Sequence, residues 1–113
     1  MRQFDMALKS IIIFNSDKHK CPFEDWISNF KDKKTIARIL QRIDRVRLGN
    51  FGDSKSLGLG LYELRMQFGS GYRIYFTIEN SNLVLLLCGG DKKTQKKDIK
   101  LAYSYLEEYR NEK

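Results

Sequence analysis

Arg65 and Arg73 lie on either side of a Gly69-Ser70-Gly71 turn signal, and Lys92 and Lys93 follow a Gly89-Gly90 pair further along the chain. A guanidinium stays charged at any ordinary pH, and its planar fork matches two phosphate oxygens at once. If the segments around the turn pair as a hairpin, both arginines share its polar face with Glu63, Gln67 and Tyr75, and the two lysines emerge from the adjoining strand. Four cations and a phenol on one surface could stabilise a phosphodiester in its pentacovalent transition state without a metal. The plainer reading is a solvated sheet face, which amphipathic hairpins produce routinely.

A second group of cations follows helical spacing. Arg38, Arg42 and Arg45 line one face of a segment whose Ile36, Ile39, Leu40, Ile43 and Val46 mark the apolar side. Lys96, Lys97 and Lys100 extend the basic loop at Lys92, and Lys55 sits in a glycine-rich stretch. These seven residues are candidate contacts for a nucleic-acid backbone, set against the common alternative of solvated helix faces. The charge is uneven: residues 31–50 carry seven basic against two acidic side chains and residues 91–113 seven against five, which accounts for the whole +7.

Other chemistries fail on spacing. Gly58 and Gly60 have Glu63 where a dinucleotide fingerprint needs its third glycine, and no phosphate-loop string occurs. Cys21 and Cys88 are 67 positions apart and His19 is the single histidine, so neither a zinc set nor a cysteine–histidine pair is expected, and no cofactor is implied. Cys88 reads as core filler and His19 as an exposed loop residue. Acid–base work must then fall to carboxylates, lysines, tyrosines or arginines.

The elements that must hold these groups follow from periodicity. Ser10 to Phe14 is a β-branched run that reads as a buried strand, and Pro22 opens a short helix with Phe23, Trp26, Ile27 and Phe30 on one side. The arginine-striped helix ends at Gly49, and Asn50 to Gly60 reads as a loop. Alternation then predicts a hairpin with Met66 opposite Ile74, Gln67 opposite Arg73 and Arg65 opposite Tyr75. Leu83 to Cys88 reads as a central strand ending in a Gly89–Gln95 loop, and Thr94 caps a last helix with Ile99, Ala102, Tyr103, Leu106 and Tyr109 inward. The expectation is an α+β fold: a mostly antiparallel sheet of about four strands, two N-terminal helices and a C-terminal helix.

With 113 residues, 42% hydrophobic and 31% charged, the chain suits one domain over residues 1–113 and excludes a disordered tail or fibrous repeat. No apolar run approaches the roughly 20 residues of a membrane span, and Asp5 argues against a leader, so a cytoplasmic location is expected.

The string GNFGDSKSLGLGLYELRMQFGSGYRIYF (Gly49 to Phe76), followed by LLLCGGDKKTQKKDI (Leu85 to Ile99), resembles the phage-derived, Gp49-like branch of the RelE/ParE superfamily, addiction-module killer proteins related to HigB. The segment ARILQRIDRVRLGN fits as well, and the resemblance covers about residues 10–105. It implies a RelE-like fold and the toxin of a type II toxin–antitoxin system, an endoribonuclease that cuts mRNA on the ribosome and is neutralised by a cognate antitoxin, commonly a small helix-turn-helix protein. It also places the family's basic site residues on Arg65, on Arg73 of the GYR motif, and on Lys92 or Lys93. One element departs: RelE has a tyrosine early in the last helix, where this chain has Lys100 and no tyrosine before Tyr103. Proton transfer is left open among Asp91, Lys93 and Tyr75. The competing function is a ParE-like protein that inhibits DNA gyrase without cutting RNA, since one fold hosts both.

Overall fold

Strand β1 (Ser10–Ile13) is followed by two helices, α1 (Pro22–Ser28) and α2 (Lys33–Arg47). Pro22 occupies the first turn of α1, where its missing N–H is no loss, and Glu24 and Asp25 face the positive end of the helix dipole. Asp32 caps α2 by accepting from the Lys34 backbone N–H at 3.0 Å, and Gly49 beyond its end takes φ +88°. Strands β2 (Ser54–Gly58), β3 (Leu61–Arg65), β4 (Arg73–Glu79) and β5 (Leu83–Gly90) come next, and α3 (Gln95–Asn111) closes the order. The computed structural model describes residues 8–112; the leader argument at Asp5 lies outside them.

The sheet has five strands in the order β1-β5-β4-β3-β2: an antiparallel meander from β2 to β5, with β1 added to β5 in parallel. This confirms the α+β class and corrects the strand count, because β2 lies inside the stretch expected as a loop. Its sequence SKSLG lacks a clear apolar alternation, and as an edge strand it needs none. Lys55 stands exposed on it, a charge that discourages pairing with another chain. β1 is likewise at an edge, with Ser10 and Ile12 exposed, so it is not the buried strand expected. The central position of β5 is as expected.

Both faces of the sheet are covered. Phe23 of α1 and Ile39, Ile43 and Val46 of α2 pack with Leu64, Ile74 and Leu86 on one side. Ala102, Tyr105 and Leu106 of α3 pack with Leu61, Tyr75 and Leu87 on the other. A bulge between Tyr75 and Phe76 leaves Leu87 unpaired, so Leu87 and Cys88 both join the α3 side. The Gly89-Gly90 pair then lets helices close in from opposite faces: a Cβ on Gly89 would strike the Trp26 ring, and one on Gly90 the Asp98 carboxylate. Cys88 is core filler as expected, and burial pushes its thiol up to about 12. His19 is corrected: it is half-buried, 5.0 Å from the Tyr105 ring centroid and 3.4 Å from Glu108 Oε1.

The β3–β4 register differs from the expected one by two residues, with Arg65 opposite Arg73, Leu64 opposite Ile74 and Glu63 opposite Tyr75. A two-residue shift preserves the faces. The turn is longer than three residues because Tyr72 folds its ring over Gly69 and against Phe68, and Met66 N–H closes the loop onto Tyr72 O at 3.0 Å.

The β2–β3 turn centres on Leu59 (φ +56°) and Gly60 (φ +87°), the conformation that favours Asn-Gly. Leu59 is 82% exposed, so its side chain contributes little against the left-handed backbone it must adopt. Leu59→Asn is expected to raise stability by about 0.5–1 kcal/mol, a fraction of the left-handed penalty, seen as a higher urea midpoint at unchanged slope.

Candidate nucleic-acid interface

Positions 38, 41, 42 and 45 fall on one side of α2, and that side forms a wall of a cleft of about 310 Å³ whose other wall is the β3–β4 hairpin with Arg65, Gln67 and Phe68. Arg42, expected on the outward stripe as a candidate nucleic-acid contact, is instead tied down in the protein. It is 8% exposed, and its Nη2 donates to Phe51 O at 2.6 Å and Asp53 O at 3.3 Å. Gly52 makes room for it: a Cβ there would stand 2.8 Å from Arg42 Nη2, and the glycine's φ is +58°. Burial, and then the neighbouring Arg45 charge, lower the Arg42 pKa from its ordinary value. Arg38 and Arg45 remain exposed at the mouth.

Asp53, fixed by this clasp, organises the opposite wall. Arg65 donates Nε and Nη2 to its Oδ1 at 3.1 and 2.8 Å, and Gln67 Nε2 donates to Oδ2 at 2.8 Å. The Gln67 and Arg65 hydrogen bonds hold the Asp53 carboxyl below its usual range.

Gln67 also borders a second groove of about 380 Å³ formed with the hairpin turn, Arg73 and Lys92. Arg73 is 8% exposed and donates Nη1 to Gly71 O at 3.1 Å and Tyr72 O at 3.3 Å; its Nε lies 3.8 Å from Glu63 Oε2 and has no hydrogen-bond partner. The two grooves share Gln67 as a lining residue. Arg73 and Lys92 therefore share one, while Arg65 joins Arg38, Arg42 and Arg45 in the other.

The polar face of the hairpin is not the open surface expected, because α3 lies on it. Tyr75 is fully buried, and its hydroxyl donates to Glu63 Oε2 at 3.2 Å. Burial first, and then the Glu63 charge, push its phenol far above the ordinary range, which favours the protonated form. Gln95 Nε2 donates to the same Glu63 oxygen at 2.6 Å. Asp91 accepts from the Ser70 hydroxyl at 3.1 Å and from the Lys93 and Thr94 backbone N–H groups at 2.9 and 3.1 Å. Burial works against its charged form, yet the Thr94, Ser70 and Lys93 bonds prevail and hold its pKa down. Asp91 thus fixes the β5–α3 connection. Lys93 is exposed in that connection, Lys96, Lys97 and Lys100 on α3, and Lys55 on the β2 edge; none of these five lines either groove. Asp53 and Gln95 are parts of the site region that spacing alone did not single out, whereas Gln67 lies beside the hairpin arginines as expected.

Among the described residues no group of three or more His, Cys, Asp and Glu side chains is placed to hold a metal ion, and no helix is long and apolar enough to cross a membrane.

Arg42→Ala should destabilise the fold by about 1–3 kcal/mol, since charge-assisted hydrogen bonds to two buried-loop carbonyls are lost, and urea unfolding measures it. Asp91 supplies a pH signature. Its folded pKa lies below the unfolded value of about 3.9, so its contribution is complete above that pH and disappears as pH falls through the folded pKa. The stability gap between wild type and Asp91→Asn should be constant near neutrality and close below about pH 4.

The sequence comparisons bear on the same segments. The family model described as phage derived protein Gp49-like (DUF891) matches residues 25–107. An uncharacterised protein of Haemophilus influenzae is 52% identical over 80 residues, covering 71% of this chain and 81% of that protein. Both grooves are lined wholly by residues within the family match, from Arg38 to Lys92. The chain belongs to the phage-derived Gp49-like family (DUF891).

Proposed function

We propose that the protein is the toxin of a type II toxin–antitoxin system: a RelE-like, cytoplasmic, metal-independent endoribonuclease that cuts mRNA on the ribosome and is held in check by a small helix-turn-helix antitoxin. The observation that supports this best is the pair of cationic grooves on either side of Gln67, with Arg73 and Lys92 in one and Arg38, Arg45 and Arg65 in the other. The motif blocks around Arg65, Arg73 and Lys92 supply the resemblance to RNA-cutting toxins.

In the proposed reaction a ribose 2′-oxygen attacks the neighbouring phosphorus as its proton passes to a solvent water. The bond from phosphorus to the 5′-oxygen breaks and that oxygen takes up a proton, leaving a 2′,3′-cyclic phosphate and a 5′-hydroxyl. Arg73 and Lys92 stabilise the charge that gathers on the phosphoryl oxygens. The ribosome contributes by holding the RNA in line for attack. With Tyr75 buried and Asp91 tied into its turn, Lys92, which lines the groove with Arg73, is the group that protonates the leaving oxygen. That same commitment of Tyr75 and Asp91 to internal hydrogen bonds favours the second reading, a ParE-like inhibitor of DNA gyrase that performs no chemistry.

Primer extension on mRNA after expression without the partner distinguishes them. Growth arrest with defined cleavage sites is expected, and single-turnover cleavage by Arg73→Lys or Lys92→Gln should fall roughly a hundredfold, the scale for loss of one preorganised donor. Cleavage should persist in excess chelator when ribosome integrity is controlled separately. Arrest with intact mRNA and inhibited supercoiling would establish the gyrase reading instead.

A further inference from the structure

Arg38 makes a contact that simple phosphate attraction does not require. Its Cζ lies 3.8 Å from the centroid of the Phe68 ring, too close for an edge-on approach, so guanidinium and ring are stacked. The ring beneath is itself anchored: Phe68 meets Tyr72 at 5.5 Å, and Tyr72 meets Phe30 at 5.0 Å and Trp26 at 6.2 Å. This aromatic chain ties the hairpin tip to α1 and holds the stacked pair in place. Arg38 is exposed and borders the cleft, leaving the face of its guanidinium away from Phe68 as a flat, cationic platform at the mouth. Arg45 stands two turns along the same side of α2, and on the facing wall Arg65 gives Nε and Nη2 to Asp53, which also lines the cleft, and keeps Nη1 for a ligand, within a volume of about 310 Å³. That is at the small end of the range for ligand sites and admits a nucleotide-sized group rather than a folded element.

We propose that the cleft between α2 and the hairpin is a subsite for one unpaired nucleotide of single-stranded RNA, with the base stacked on Arg38 and an adjoining phosphate between Arg45 and Arg65. The choice of RNA as the polymer rests on the proposed nuclease reading; the stacking platform does not. Single strands are recognised in this way, by a π-face under the base and cations along the backbone. An acidic peptide would satisfy the cations and leave the platform unused.

The test is equilibrium binding of the purified protein to a short single-stranded RNA and to an abasic ribose-phosphate strand of the same length, at fixed salt. The base-bearing strand should bind roughly tenfold tighter. Arg38→Lys, which keeps the charge and loses the plane, should abolish that preference while leaving affinity for the abasic strand within about twofold. Because Arg38 is exposed, its thermal midpoint should match wild type. Equal binding of the two strands by wild type, discrimination retained in Arg38→Lys, or displacement of the RNA by an equimolar polyglutamate peptide would each overturn the proposal. Base discrimination by a protein that cuts no mRNA would support the subsite and refute the nuclease.

Discussion

A carboxylate taken out of water has to be met by donors or by an opposite charge, or it destabilises the fold by several kcal/mol. Glu63 is 1% exposed, and the arrangement around it determines much of what the hairpin can offer. Tyr75 comes to it from the paired strand, Gln95 from the first turn of α3, and Arg73 stands 3.8 Å away. Satisfying Glu63 therefore fixes three things together: the docking of α3 on the sheet, the withdrawal of Tyr75 from solvent, and the position of the Arg73 guanidinium beside the carbonyls of Gly71 and Tyr72. Arg73 is left with one buried N–H unpaired, while its other end borders the groove with Lys92.

The same logic operates along the β2 side of the hairpin with the charges reversed. Arg42 is the buried group, and the loop between α2 and β2 wraps it with the carbonyls of Phe51 and Asp53. Asp53 is then presented to Arg65 and Gln67. Part of the +7 net charge is thus spent internally. Among the described residues neither Arg45 nor Lys92 joins an ion pair, and Arg38 stacks on an aromatic ring, so these groove cations are available to a polyanion, as are the exposed lysines of α3 and β2 outside the grooves.

Periodicity carried the reading of the elements whose burial it reflects. Phe23 and Trp26 on α1, the isoleucines of α2, the alternation through β3 and β4, and the apolar run of β5 all lie where spacing put them, while Phe30 packs on the same core from just beyond the end of α1. β2 was hidden because an edge strand with exposed Lys55 and Ser56 leaves no apolar pattern to detect. The two-residue register error arose from treating Gly69-Ser70-Gly71 as the whole turn, when the stacking of Phe68 and Tyr72 extends it. Helical spacing alone sets Arg42 with the outward arginines, yet it stands three positions after Ile39 and four before Val46, both buried, which places it at the border of the apolar stripe. The burial of Glu63 and Tyr75 depends on which face α3 chooses, a tertiary fact that alternation along a strand does not contain. Arg65, Arg73, Lys92 and the α2 arginines were legible as cations from composition and spacing; their division between two grooves was not.

The central claim is that the line of grooves from α2 across Gln67 to Lys92 is the surface that meets RNA. Backbone amide shift mapping of the isotopically labelled protein, titrated with a short single-stranded RNA at low salt, tests it most directly. The account predicts shifts concentrated at Arg38, Arg45, Gln67, Phe68, Gly71 and Lys92, with Lys96, Lys97, Lys100 and Lys55 changing little. Shifts centred on the lysines of α3, or spread evenly over all exposed cations, would contradict it.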